Sequence, residues 1–591
     1  MMNARSFALV GLVSLLPVSG TVQAQSAGSP TARLRLFFAE AWSFELREDP
    51  FLATEAGIGL HNSKLPSVTK EDEVRRASLR RSYLGKLRAI PRSRLGARDR
   101  VSYDMFDRML EDRVSEFEFG SYRIPILADA GFHIEFAQLA SRVPLGTTRD
   151  YENYIARLSA FPEYTRQNIG IMREGMAAGF TIPKVTMQGY DVTIATHIVD
   201  DVTKSVFYKP FESFPTTVPE RDRERLREAG KRAIAEGAIA GYRAFLDFMT
   251  TEYVPRARET LGASELPNGK AYYDYLVRSY TTLDVTPRQV HDIGLEEVRR
   301  IRAEMDAIIR ATGFTGDFAA FLTFLRTDAR FYAKTGEELL KEASWIAKRM
   351  DGQLPLLFKT LPRLPYGVEA VPAHLAPKYT AGRYISAPKG STRPGYYWVN
   401  TFALESRPLY ALEALTLHEA VPGHHLQFAL SREIEGLPEF RRFAGISAYS
   451  EGWGLYSERL GLEAGFYKDP YRNFGRLTYE MWRACRLVVD TGLHSMGWTR
   501  DQAMEFMASN TALSLHEVKT ETDRYISWPG QALAYKMGEI KIRELRGKAE
   551  AQLGDRFDIR EFHDVVLRNG VVPLTVLEAE VNAWLAAQKR R

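Results

Sequence analysis

The stretch RDRERLREAGKRAIAEGAIAGYRAFLDFMTTEYV, residues 221–254, constrains the fold more than any other feature of this chain. Its apolar residues return every three or four positions and no proline interrupts them, which is the period of a helix face and not of a strand. It predicts one long amphipathic helix or a helix pair. The same period recurs through most of the sequence, and helix starts are marked. Thr286 with Gln289 forms a capping box with Pro287 at the first helical position, and Thr499 with Gln502 repeats the device. Strand-like segments are few: part of 182–199, and GYYWVNTF at 395–402, rich in aromatic and β-branched residues. APKGSTRPG (387–395) reads as a loop before the second of these. The expectation is a mainly α-helical protein with one small sheet. An N-terminal helical half (25–270) precedes a C-terminal half (271–591) that carries the chemistry. No long linker marks the boundary, so one body split by a cleft and two separable domains both stand.

With 591 residues, 45% hydrophobic and 26% charged, the chain has enough apolar material for one large core or two to four domains. Its first residues are different. MMNARSFALVGLVSLLPVSGTVQAQ has a short basic start at Arg5, an apolar stretch from Phe7 to about Gly20, and small residues at Val22 and Ala24. That pattern predicts an export signal removed after about Ala24, with an uncleaved anchor as the alternative. The stretch is shorter than the roughly 20 residues a membrane span needs, and no later run approaches that length. No cysteine follows it to carry a lipid. The formal charge of +5 falls by one when Arg5 is removed, which leaves no basic footprint for nucleic acid. The single cysteine, Cys485, excludes an internal disulfide and reads as packing. A periplasmic or secreted protein is expected, with no nucleic-acid partner and no stable membrane insertion once the signal is removed.

Three of the eleven histidines fall within eight residues of LHEAVPGHHLQ, 417–427. His418-Glu419 opens like the zinc-peptidase string H-E-x-x-H, in which residues four apart chelate one ion from one helix face. Here position 422 is Pro422. On an unbroken helix His424 would lie about 9 Å along the axis from His418, and His425 about 10.5 Å. Zinc holds its nitrogens at about 2.0–2.1 Å, so the helix must break for a site to exist. Pro422 removes the N–H owed to the His418 carbonyl, and Gly423 widens the backbone options. One helix is expected from about Pro408 to Val421 and a second from about His424 to Glu435, with Gly436 ending it. His418 and His424 then flank the kink.

Zinc hydrolases commonly use two histidines and one glutamate, leaving a fourth position for water. AYSEGWGLYSERLG (448–461) is the best source of the third ligand, Glu451, flanked by Gly452 and Gly454. Glu451 also reads as a helix-start acid matched to the dipole. Glu458, two turns on, is a second-shell or surface acid. His516-Glu517 has Thr520 at i+4 and no second histidine nearby, and is set aside as a decoy.

HEAVPGHHLQ, SEGWGLYSE, DTGLH and ETDRYISWPGQALAYKMG (521–538) resemble the bacterial family known as domain of unknown function 885, which is grouped with the gluzincin metallopeptidases. The likeness runs over nearly all of the chain beyond the signal. It implies a helical gluzincin-like fold, distantly similar to angiotensin-converting enzyme and the thermostable carboxypeptidases, with its small sheet beside an active-site cleft. By the resemblance His418 and His424 match the histidine ligands of one zinc ion, Glu451 the downstream ligand and Glu419 the general base. His425 is also in the family string and is the alternative to His424. Around them, Tyr535 is a candidate oxyanion donor, and Arg524 and Tyr525 are candidates to grip a substrate carboxylate. Arg486, Asp490 and His494 form an i,i+4 ladder in which Asp490 would orient a ligand histidine and His494 would be a transition-state donor. Strand 395–402 reads either as an edge that pairs with a peptide or as an ordinary core strand. The expected activity is zinc-dependent hydrolysis of peptides. A metal-dependent esterase or amidase and a binding protein with a vestigial site are the competing readings.

Overall fold

Residues 28–373, 376, 379–386 and 393–589 are described by the structure, a computed structural model. The export signal read at 1–24 and most of the loop at 387–395 lie outside the described residues. The protein is mainly α-helical, with one three-stranded sheet among the described residues. The elements that matter below are α1 (Thr148–Ala177), α2 (Gly269–Thr281), α3 (Pro287–Ala311), β1 (Tyr366–Ala370), β2 (Gly382–Ile385) and β3 (Gly395–Val399). They continue with α4 (Leu412–Glu419), α5 (His424–Glu433), α6 (Ser447–Leu460), α7 (Pro470–Ser495), α8 (Leu515–Ser527) and α9 (Ala534–Leu553).

Local signals act where expected. Thr286 and Gln289 close a capping box on α3 behind Pro287, and Thr499 and Gln502 do the same for the helix Arg500–Asn510. The stretch 221–254 is one continuous helical run from Glu220 to Tyr253, in which π-helical turns at Ala233–Ile239 and Met249–Tyr253 interrupt the α-geometry. It packs with α1 into a core of its own, built from residues between Ile126 and Tyr253. The main core draws on Leu34–Leu110 as well as Val298–Leu585, so apolar packing runs through both sides of the division at residue 270.

Two strand expectations are corrected. Segment 182–199 holds no strand: Lys184–Met187 is a 3-10 turn and Val192–Ala195 a short helix. GYYWVNTF does supply β3, but the sheet order is β1-β3-β2, so β3 is the central strand, parallel to β1 and antiparallel to β2. Both its ladder sides are taken, and β2 is an edge instead. Alternate buried positions along β3 (Gly395, Tyr397, Val399) face the core.

α7 is the scaffold's central rod, with most of its length buried and α3 lying along it. A second tie is polar. Lys536 Nζ on α9, fully buried, sits 2.9 Å from Glu297 on α3, 2.9 Å from Glu480 on α7 and 2.8 Å from Glu539. Those three carboxylates could be mistaken for a metal cluster, but the ammonium already occupies their centre. Burial works against its charge, yet the acids hold the Lys536 pKa above the usual lysine range.

Candidate metal centre

Helix α4 stops at Glu419, where Ala420 leaves helical geometry (φ −92°, ψ −110°). The chain passes through a cis Val421–Pro422 peptide and Gly423, and α5 begins at His424. The break is tied on three sides. Gly423 N–H donates to the Leu417 carbonyl (3.0 Å), His425 N–H to that of Ala420 (3.0 Å), and Trp453 Nε1–H to that of Pro422 (2.8 Å). Only glycine fits position 423, because a Cβ there would lie 1.9 Å from the His418 carbonyl oxygen.

Across this break the rings of His418 and His424 stand nearly perpendicular (88°) with centroids 4.7 Å apart. Glu451, early in α6, comes between them, its Oε2 3.4 Å from His418 Nε2 and 3.6 Å from His424 Nε2. One ligand atom from each of the three lies within 4.8 Å of the others. Tetrahedral ligands at about 2.0–2.1 Å from zinc stand about 3.4 Å apart, so this triad could hold a metal ion with one coordination position spare. Burial alone would raise the Glu451 carboxyl, but the two imidazoles hold it well below the usual range. Burial alone would depress His418, but Glu451 and Glu458 lift it to about 9. The spot favours positive charge.

Outer contacts orient the ligands. His418 Nδ1 donates to Glu458 Oε1 at 2.8 Å, which turns Nε2 toward the centre. Glu458 is 1% exposed, so it is not the surface acid of the two expectations, and it backs the His418 ring. The two glycines that flank Glu451 are required by close packing. A Cβ on Gly454 would lie 2.6–3.0 Å from the His418 ring, and one on Gly452 would lie 2.6 Å from the Gly538 backbone, where α6 and α9 touch. Glu419, 9% exposed, is outside the triad and accepts the Tyr384 N–H of edge strand β2 on Oε2 at 2.8 Å. His425 is turned away. Its Nε2 donates to the Leu364 carbonyl and its Nδ1 accepts from the Tyr384 hydroxyl, both at 3.1 Å, and burial first of all lowers it to about 4.

The ladder on α7 is corrected. Asp490 accepts the Tyr273 hydroxyl of α2 (2.5 Å) and the Gly530 N–H (3.1 Å), and orients no ligand histidine. His494 is fully buried, its Nδ1 accepting from Ala263 N–H (2.9 Å) and its Nε2 donating to the Tyr525 carbonyl (3.0 Å). Both ring nitrogens are spent on backbone, so it has no proton to offer a substrate. Tyr525 is also fully buried, its hydroxyl accepting from Trp482 and Arg486 and donating to Glu521, which corrects its expected role in gripping substrate. Arg524, partly exposed, has its guanidinium committed to Glu521 and Gln531. Tyr535 is partly exposed, with Arg486 4.2 Å over its ring. Cys485 is buried, and burial pushes its thiol up.

Fold and site together define a mainly helical protein with a His–His–Glu cluster that could hold one metal ion, set beside a small sheet. The chain belongs to the family described as bacterial protein of unknown function (DUF885), whose sequence pattern matches residues 50–581. It is similar to the crystal structure of "the putative lipoprotein from Colwellia psychrerythraea", with 30% identity, a TM-score of 0.90, and coverage of 95% of this chain and all of that one. A "putative lipoprotein of unknown function from Shewanella oneidensis" shares the fold at 17% identity, with a TM-score of 0.71 over 94% of this chain and 99% of that one. No curated protein matches the chain. Among the described residues no helix is long and apolar enough to cross a membrane.

Proposed function

We propose that this protein is a zinc-dependent hydrolase that cleaves peptides in the bacterial envelope. The observation that carries the reading is Glu419, an acid next to a ligand-type histidine but outside the ligand triad, held by a backbone N–H. A pure binding protein has no use for a base there. His418, His424 and Glu451 would hold the zinc, which when bound supplies a Lewis acid and makes water acidic enough to lose a proton near neutral pH. Glu419 accepts that proton and returns it to the leaving amine. The Tyr384 N–H fixes one carboxylate oxygen and with it the direction of the other. Glu458 holds His418 in the tautomer that points Nε2 at the ion. Tyr535, partly exposed and braced by Arg486, is the donor assigned to the developing oxyanion. The envelope location rests on the export signal read at 1–24 and on the two relatives described as putative lipoproteins.

The test is zinc stoichiometry of the purified chain beside a mixed-peptide digest read by mass spectrometry. One zinc and cleaved peptides are expected. Glu419→Gln should keep the zinc and lose about 10²- to 10⁴-fold in rate. A zinc-loaded wild type that cleaves nothing refutes the activity, and loss of zinc from Glu419→Gln refutes the role of that residue.

A further inference from the structure

A cavity of about 250 Å³ adjoins the first part of α4 and is not used by the chemistry above. Its wall includes Leu412 and Leu415 of α4, which share a helix face with Glu419, Leu415 being one turn before it. A Cβ on Gly382, at the start of β2, would lie 3.4 Å from Leu415, two residues before the Tyr384 N–H that holds Glu419. From the other side, the lining residue Tyr479 is one turn before Arg483, whose guanidinium lies 3.7 Å from Glu458, the partner of His418. Two walls of the cavity therefore belong to the helices that carry the base and the residues backing His418.

Most of the wall is apolar, but three polar residues from three elements line it, and two of them hold atoms without a hydrogen-bond partner. Arg407 Nε, ahead of α4, and Thr478 Oγ1, on α7, are buried and unbonded among the described residues. Glu517, in the first turn of α8, also lines the cavity; it is partly exposed, and the charges of Arg407, Arg483 and Arg486 act on its carboxyl. Leaving the Arg407 and Thr478 atoms unpaired in a well-packed protein is unfavourable by about 1–3 kcal/mol each, so their presence at one void points to an occupant. The charged lining balances: Arg326 and Arg407 against Glu405 and Glu517. Arg326 is already spent on the carbonyls of Leu513 and Thr511. Burial and then Glu521 push the Glu517 carboxyl up to about 7 against the pull of Arg407, Arg483 and Arg486, so near neutral pH it can donate a hydrogen bond as well as accept one. An ionic side chain would lose its hydration there without a net counter-charge. A carboxamide suits all three groups, accepting from Arg407 and Thr478 and donating to Glu517. The volume is ample for a glutamine or asparagine side chain.

We propose that this cavity is a specificity pocket that receives one substrate side chain next to the scissile bond and selects glutamine or asparagine, with Glu517 and Thr478 as the specificity-determining residues. This rests on the hydrolase reading. The measurement is cleavage-site preference of the zinc-loaded full chain on a peptide library, for wild type, Glu517→Leu and Thr478→Val, with zinc content and melting checked for each. Wild type should favour a carboxamide at one position flanking the cut. Glu517→Leu should lower that preference about 10- to 100-fold in favour of leucine or methionine and leave other positions alone, and Thr478→Val should weaken it in the same direction. A preference untouched by both variants, or one for lysine or arginine that Glu517→Leu abolishes, overturns the proposal. If the wild type cleaves nothing, the hydrolase reading has failed, and the pocket is decided separately by saturation-transfer NMR with butyramide, butylamine and butyrate. Butyramide alone binding wild type, and not Glu517→Leu, supports the pocket. No binding, or preference for the amine or the acid, ends it.

Discussion

A Cβ at position 454 would lie 2.6–3.0 Å from three atoms of the His418 ring, so Gly454→Ala must push that ligand out of line. We expect a folded protein whose zinc affinity, measured by competition with a chelator, drops by about 10- to 100-fold, the range seen for damaged outer-shell support. Wild-type affinity would mean the ring has room to spare. His494 should behave oppositely. Its two backbone hydrogen bonds make it structural, so His494→Asn should lower stability by about 1–3 kcal/mol with kcat unchanged. A kcat loss without a lower melting temperature would return it to the reaction. The contrast shows what a residue pattern carries. The meeting of His418, His424 and Glu451 was legible because chelation would demand close ligands, and only a helix break lets this spacing bring them together. Arg486, Asp490 and His494 form an equally regular ladder, but i,i+4 spacing marks only a shared face. Whether that face meets a substrate or the backbone of Ala263 and Tyr525 depends on what packs against it.

At the scale of elements, the break between α4 and α5 is the part most open to attack. Gly423→Ala places a methyl 1.9 Å from the His418 carbonyl. The turn must open, and His418 and His424 separate. We expect zinc binding to be lost while circular dichroism shows no loss of helix, since alanine is the better helix former. Full zinc occupancy in a well-folded variant would show that packing through Trp453 restores the turn. Capping boxes at Thr286 and Thr499 were readable because their partners lie three residues apart. β1 and β2 were not, being four or five residues long and without clean alternation of buried and exposed positions along β1. β3 was visible from its aromatic residues, but its central place depends on β1 and β2 finding it.

At the scale of the molecule, Lys536 joins α3, α7 and α9, and Lys536→Met would leave the Glu297, Glu480 and Glu539 carboxylates without their shared ammonium. A loss of about 3–5 kcal/mol in denaturant unfolding is expected; a neutral result would mean that Arg300 and Arg476 suffice. Acid should also weaken the fold. Burial lowers His425 and His494 to about 4, and His133 and His563 to about 3, so below pH 6.5 the unfolded chain binds more protons and stability falls toward pH 4. Asp490 and Glu517, raised by burial to about 7, act the other way between about pH 4 and 7, but two acids oppose four histidines. Melting temperature should therefore drop from pH 6.5 to 5, and less steeply in His494→Asn; a flat profile would refute these assignments. The amino-acid sequence by itself determined the helical class, the capped helix starts, the need for a kink at Pro422-Gly423 and the ligand-type residues, because each depends on neighbours a few positions away. Tertiary structure alone decided that the main core would draw on residues from Leu34 to Leu585, and that His424 and not His425 would face Glu451. It also decided that Glu517, passed over as a decoy, would meet Arg407 and Thr478 at one cavity. Those outcomes depend on contacts between residues tens to hundreds of positions apart, which no local period or spacing encodes.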